Sequence, residues 1–370
     1  MEFIRENLLK VVIFIIILVV AILVFTLIFR KSNMKIVTSY SSMEQSMVAA
    51  TKKYVNKNQK LLPKNENENS KVNLDTLVDA KHMNELYSLE DENIKCTGYT
   101  EILYRNNKYI YVPYLKCGKY YETKTLSNYI RDNETIVTSG SGLYQMGDTL
   151  VYRGESPKNY VGIGNRLYRI IDIKDDEIRL ISVEKLRQYF VWDNRYNIET
   201  KKSVGVNDYS ISRLKDSLNQ LVIDAENDVE DGILSDAEYE KMVAHDICVG
   251  KRSSANSEIN YDSECQTLEL NQKVSLILVS DYARASIDPN CKTIYDKSCI
   301  NYNYFSKIGD SFRTITATSD NTYQVFNISD GVAELVKASA TFKSNIVVYI
   351  NNMSLYKGGN GTYENPYVIR

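Results

Sequence analysis

The sequence predicts an α+β protein. It is expected to begin with a transmembrane helix, continue into a helical stem with a disulfide hairpin, and end in an α+β domain on an antiparallel sheet. Three observations predict this. Val11–Phe29 is an unbroken apolar run. Cys96 and Cys117 sit in matching positions on two Tyr-rich runs. Beyond Leu150, capped helical stretches give way to a series of strands.

Val11–Phe29 holds nineteen residues with no charge and one hydroxyl. At about 1.5 Å per residue it reaches roughly 28 Å, close to the hydrocarbon thickness of a bilayer. Its apolar core is longer than that of a signal peptide, and Arg30-Lys31-Ser32-Asn33 follows with no small-residue cleavage site, so a retained anchor is expected. The Gly and Glu signature of a type IV prepilin is absent. Arg5 and Lys10 precede the span, and Arg30, Lys31 and Lys35 follow it. Taken alone, that balance leans toward a cytoplasmic C-terminus. The six cysteines argue the other way. Cys96, Cys117, Cys248, Cys265, Cys291 and Cys299 all follow the span, and their spacing predicts three local disulfides, which persist outside the reducing cytosol. A single-pass protein of the cell membrane with extracellular C-terminal domains is therefore expected.

Three segments follow from this: an anchor over 1–35, a stem over 36–140, and a domain over 141–370. Over Ile36–Asn58 there is no Pro or Gly, and Met43, Met47, Ala50, Tyr54 and Val55 recur at helical steps. This predicts an amphipathic helix, either packed on its own domain or free to assemble with other helices. Leu62–Lys71 breaks the pattern. Leu74–Leu86 predicts a short helix with Asn73 or Asp75 as its cap. Cys96–Cys117 then reads as a hairpin turning at Asn106-Asn107. With that turn, facing residue numbers sum to 213, and Cys96 opposes Cys117 at a non-hydrogen-bonded pair, within disulfide reach. Pro113 faces Thr100, where an edge strand needs no N–H from it.

Leu126–Gly142 reads as a connector with a boundary near Gly140. Gly164–Leu186 predicts a hairpin turning at Lys174-Asp175-Asp176, and Tyr209–Val222 predicts a helix. Ser235-Asp236-Ala237-Glu238 is a capping box. Val274–Val279, Thr314–Thr318, Tyr323–Ile328, Val332–Val336 and Ile346–Ile350 predict strands, with Ser329-Asp330-Gly331 as a hairpin turn. Helices are thus expected early in this domain and an antiparallel sheet late.

Composition and motifs exclude several functions. A net charge of −2 and a pI near 5.9 give no basic field for nucleic acid. His82 and His245 are the two histidines, which leaves little room for His-based catalysis or metal chemistry. Asn227–Glu238 approaches an EF-hand loop, with Gly232 sixth and Glu238 twelfth, but Val229 in third place supplies no oxygen. An acidic surface loop is expected there instead. The cysteine spacings do not match zinc sites. Gly358–Thr362 lacks the Lys-Ser/Thr of a phosphate loop and reads as a turn before a terminal strand. Asn133, Asn327, Asn352 and Asn360 head N-x-Ser/Thr triplets, which arise readily by chance in an Asn-rich chain. No catalytic constellation, metal site or cofactor is expected.

Three stretches carry a resemblance. They are Tyr152-Arg153-Gly154 through Asn159-Tyr160-Val161 with Leu167–Ile171; Ala285-Ser286-Ile287-Asp288 through Cys299–Tyr304; and Gly359–Thr362 with Asn365–Ile369. Over Leu150–Arg370 the chain resembles the DUF6273-like extracellular domains of Firmicutes and related bacteria. Such domains are similar to the C-type-lectin and formylglycine-generating-enzyme fold. Tyr168 stands where that pattern has Trp, and Asn345-Ile346 where it has Arg-Pro. The copper-binding cysteine pair of the formylglycine-generating enzymes has no counterpart, so their oxidase activity is not implied. In layout, roughly the first 120 residues are similar to pilin-like proteins. The resemblance implies a non-enzymatic surface protein that binds glycan or protein through a lectin-like distal domain. The alternatives are a pilin-like subunit assembled through its N-terminal helix, and a cell-envelope enzyme with a site among Asp, Glu, Tyr and Arg side chains.

Overall fold

The computed structural model describes residues 39–370, apart from 66–67, 106–107, 230–231 and 352. The apolar run Val11–Phe29 with its flanking charges, and the hairpin tip Asn106-Asn107, lie outside the described residues. Among the described residues no helix is long and apolar enough to cross a membrane. The chain is α+β and divides into two units, Met1–Thr123 and Lys124–Arg370.

In the first unit, helix α1 spans Tyr40–Lys57. Ser39 opens it: its hydroxyl accepts from the Ser42 N–H while the Ser42 hydroxyl accepts from the Ser39 N–H. Met43, Met47, Ala50 and Val55 are buried, so the apolar stripe packs on the unit's own sheet. Glu44 is buried beside them, and its carboxylate accepts from the hydroxyls of Tyr121 and Thr123. The sheet comprises β1 (Asn69–Asn73), β2 (Thr97–Arg105), β3 (Lys108–Cys117) and β4 (Tyr121–Glu122), all antiparallel and in that order. Helix α2, Leu74–Asp79, follows β1; Asn73 occupies its N-cap position without a side-chain bond. The β2–β3 pairing runs from Arg105↔Lys108 to Thr97↔Lys116, keeping the sum of 213 throughout with no bulge. Cys96 and Cys117 are bonded, 4.2 Å apart at Cα. Thr100 faces Pro113, and β4 covers only Lys116 and Cys117 of β3, so the proline lies on an open edge.

The second unit begins with α3, Leu126–Asn133, capped by Thr125. Its strands up to the first long helix are β5 (Gly142–Met146), β6 (Thr149–Arg153), β7 (Tyr160–Ile163), β8 (Arg166–Lys174), β9 (Glu177–Ser182) and β10 (Phe190–Val191). Helices α4 (Arg213–Glu226) and α5 (Asp236–Lys241) precede β11 (His245–Cys248), β12 (Lys251–Arg252), β13 (Leu268–Gln272) and β14 (Val274–Ser275). After α6 (Val279–Ala285) come β15 (Ser311–Thr318), β16 (Gln324–Ser329), β17 (Val332–Lys337), β18 (Thr341–Phe342), β19 (Val347–Ile350), β20 (Tyr356–Gly358) and β21 (Tyr367–Ile369). A nine-stranded sheet runs β14-β19-β9-β8-β7-β21-β20, with β6 also on β8 and β5 on β6. A four-stranded sheet runs β12-β15-β16-β17. The core of the unit joins Ile170, Ile173, Ile178, Leu180 and Val348 to Leu218, Tyr282 and Phe326. In the two-residue turns of β8–β9 and β16–β17, Asp175, Asp330 and Gly331 take the positive φ such turns need (50°, 48° and 81°).

Several expectations are corrected. The division falls after Thr123 and not near Gly140, because α3 belongs to the second unit. The Leu126 N–H donates to the Ser354 carbonyl, the Tyr356 N–H donates to the Lys124 carbonyl, and Tyr129 stacks on Tyr356. The nine-stranded sheet of the second unit starts at Gly142 rather than late: β5–β9 belong to it, and β7 and β9 pair with the late strands β21 and β19. It is not wholly antiparallel either: β7–β21 and β12–β15 are parallel. The apolar run Val274–Val279 is a two-residue strand followed by the start of α6, all of whose residues are buried, and a buried helix and a buried strand look alike in a short run. Tyr209–Val222 is broken at Ser212, which caps α4 after a short 3₁₀ turn.

Replacing Cys96 and Cys117 together by Ala is expected to destabilise the first unit by about 3 kcal/mol, the loop-closure value for a ring of this size. A lower urea midpoint by circular dichroism, with an unchanged native spectrum, is the expected readout.

Candidate functional site

The second unit holds a cleft of about 910 Å³, within the range of small-ligand sites. Its floor and one wall come from β8, β9 and β19, which contribute Asp172, Lys174, Glu177, Arg179 and Tyr349. The β8–β9 turn adds Asp175 and Asp176. Further lining comes from β11, with His245, Asp246 and Cys248, together with Tyr261 and Cys265. The Cys248–Cys265 disulfide ties the ends of the loop that carries Tyr261.

Arg179 organises the floor. Its Nε and Nη2 donate to the two oxygens of Asp172 (3.2 and 2.6 Å). Its Nη1 and Nη2 donate to the two oxygens of Asp281 (3.1 and 2.6 Å). Nη2 also donates to the Tyr261 hydroxyl at 2.9 Å, and that hydroxyl donates to Asp281 at 2.6 Å. Strand register explains half of this: Asp172 and Arg179 face each other on β8 and β9. Asp281 arrives from α6, where it also accepts from the Leu278 N–H at the helix start. Burial opposes the Arg179 charge, but Asp172 and Asp281 outweigh it and hold its acidity constant well above the ordinary value. Arg179 is therefore a fixed cation whose field is cancelled by carboxylates.

The rim is different. His245 Nδ1 lies 2.7 Å from Glu177 Oε2, and the imidazole stacks on the Tyr349 ring with centroids 4.1 Å apart. Asp246 accepts from the Asn271 N–H at 3.0 Å. Lys174 pairs with Asp148 at 3.1 Å. Asp175, Asp176, Glu177 and Asp246 give the mouth an excess of negative charge. Burial raises the Tyr349 hydroxyl above its usual range, so it stays protonated.

The cleft contains two of the cysteines singled out in the sequence, Cys248 and Cys265, as a disulfide in the wall. Cys291–Cys299 is the third disulfide, and no described cysteine is free. Glu238, last in the EF-hand-like stretch, is buried; its carboxylate accepts from Arg166 (2.8 Å), from the Tyr168 hydroxyl (2.5 Å) and from Ser235. Asp231 of the same stretch lies outside the described residues. Among the described residues no group of three or more His, Cys, Asp or Glu is placed to hold a metal ion. His82 lies in the first unit, edge-on to Tyr54.

The sequence, with His245 one of two histidines, left little room for His-based chemistry. The partner of His245 is Glu177, which no spacing rule reveals because the two meet across 68 residues. The three stretches that carry the resemblance do converge. Gly154 N–H donates to the Ala285 carbonyl, Arg169 Nη1 to the Tyr304 carbonyl, and Tyr160 N–H to the Gly361 carbonyl.

Replacing Asp281 by Asn is expected to cost about 3–5 kcal/mol, the penalty for breaking a buried ion pair by removing one partner. The measurement is urea denaturation of the second unit's transition; a loss under 1 kcal/mol would show that Asp172 alone satisfies Arg179. No family model, curated protein or solved structure matches this chain.

Proposed function

We propose that the chain is a membrane-anchored surface protein, its C-terminal domain a DUF6273-like, lectin-like module outside the cell, and that it binds ligand in the cleft of the second unit. The observation that carries this reading is the cleft itself: a concavity with an acidic mouth, set on a floor whose charges are already paired. Such a surface presents fixed polar groups without needing to reorganise. The absence of the described cysteines from the thiol form supports an oxidising exterior.

Two alternatives are less favoured. Assembly through the stem helix would need an open apolar stripe, and Met43, Met47, Ala50 and Val55 are covered by the first unit's own sheet. Catalysis is supported by one feature, the Glu177–His245 pair, which has the arrangement of an oriented base. Among the described lining residues, Cys248 and Cys265 are bonded together, the Thr149 hydroxyl donates to Asp148 and the Tyr261 hydroxyl to Asp281.

The test is a glycan and protein binding panel with the full-length chain in detergent. Binding that is lost in the Glu177→Gln/Asp246→Asn double variant is expected. No binding by the wild type, together with filament formation, overturns the proposal. Thiol labelling of intact cells is expected to find no reactive cysteine before reduction, and six reactive thiols in the unreduced protein would place these units in the cytosol.

A further inference from the structure

Behind the cleft floor is a buried cation without a counter-ion. Arg284 lies in the last turn of α6 and is 7% exposed. Its Nε and Nη1 find no hydrogen-bond partner among the described residues. The hydroxyl of Tyr304, in the same unit, is buried and unpartnered too.

Neither Asp172 nor Asp281 accepts a hydrogen bond from it. Both oxygens of Asp172 and both oxygens of Asp281 are taken by Arg179, and Asp281 also serves Tyr261 and Leu278. Arg153 adds a further positive charge; its Nε and Nη2 donate to the carbonyls of Arg284 and Ser286. Burial opposes the Arg284 charge most strongly; among the neighbouring charges Asp172 favours it, and Arg179 and the half-buried Arg153 oppose it.

Two features offset part of this. The Arg284 guanidinium carbon lies 4.0 Å from the centroid of the Tyr261 ring, a cation–π contact. The residue also sits at the C-terminal end of a helix, where the backbone dipole favours a cation. Neither accepts the hydrogen bonds that Nε and Nη1 offer. Buried donors are nearly always satisfied, and buried charges are nearly always paired. Arg169 shows the ordinary solution in the same unit: Nε donates to Asn159 Oδ1, Nη1 to the Tyr304 carbonyl and Nη2 to the Pro157 carbonyl. Arg313 also leaves Nε and Nη1 unpartnered, with Glu334, among the described residues, the only charge acting on it, whereas Arg284 has the cations Arg179 and Arg153 against it as well as Asp172 for it. At Arg284 the unpartnered atoms, Nε and Nη1, are both donors.

We propose that a small anion, a carboxylate or an inorganic ion, binds at Arg284, with the Tyr304 hydroxyl as a second donor. Tyr261, stacked on Arg284, lines the cleft, as does Asp172. The site is independent of whether the cleft binds a surface ligand.

The test is thermal unfolding of the full-length chain in detergent, at fixed ionic strength made up with a bulky sulfonate salt, titrated with chloride, phosphate or acetate. At least one anion is expected to raise the midpoint saturably, by about 5 °C at a hundredfold excess over its dissociation constant. The rise is expected to vanish in Arg284→Met and to persist in Lys337→Met, an exposed cation of the same unit. A response to acetate alone identifies a carboxylate ligand; a response to chloride or phosphate identifies an inorganic one. No saturable rise with any anion, or a rise that survives Arg284→Met, overturns the proposal. Crystals grown with bromide and acetate give a readout that does not depend on the variant folding. An anomalous peak or planar density on Arg284 supports the site, and ordered water on both Nε and Nη1 overturns it.

Discussion

The second unit depends on one guanidinium. Arg179 spends its donors on Asp172, Asp281 and Tyr261, and these partners arrive from β8, from α6 and from the disulfide-closed loop. Hydrophobic burial brings sheet and helix together without direction. The ion network adds direction, because a planar fork accepts carboxylates only at defined angles. Buried pairs of this kind contribute little net stability compared with apolar packing, yet removing one member leaves a charge with no water to solvate it. Correct assembly of the floor is therefore enforced by the cost of the alternatives.

That network also explains the chemistry of the cleft. Compensated charges at the floor leave the rim groups, Glu177, Asp246 and the β8–β9 turn acids, to set the electrostatic potential at the mouth. The stacking of His245 on Tyr349 and the disulfide beside it hold that rim in place. Rigidity of this sort lowers the entropy lost when a ligand is ordered.

Much of the first unit was legible in the sequence, for a physical reason. Helix and hairpin are local structures: Met43, Met47 and Ala50 reveal a helical face by spacing, and Cys96 and Cys117 reveal a register by arithmetic. The α+β class, the two hairpin turns at Asp175 and Asp330, and the Ser235 capping box were readable on the same grounds. The sheet order of the second unit was not. Strands β7 and β21 pair across some two hundred residues, and nothing in Tyr160–Ile163 names Tyr367–Ile369 as its neighbour. The site shared that fate. Arg179, Asp281 and Tyr261 are ordinary surface-type residues in sequence, and only the topology makes them a buried cluster. Glu238 shows the converse: a residue that looked like a ligand of a loop is consumed by Arg166 and Tyr168.

The three disulfides close rings with sequence separations of 21, 17 and 8. Six cysteines admit fifteen pairings, and this one joins each cysteine to its neighbour along the chain. Short rings also carry the smallest closure entropy. Each bridge thus needs only its own segment to be in place, and no cysteine has to pass over a nearer one to reach its partner.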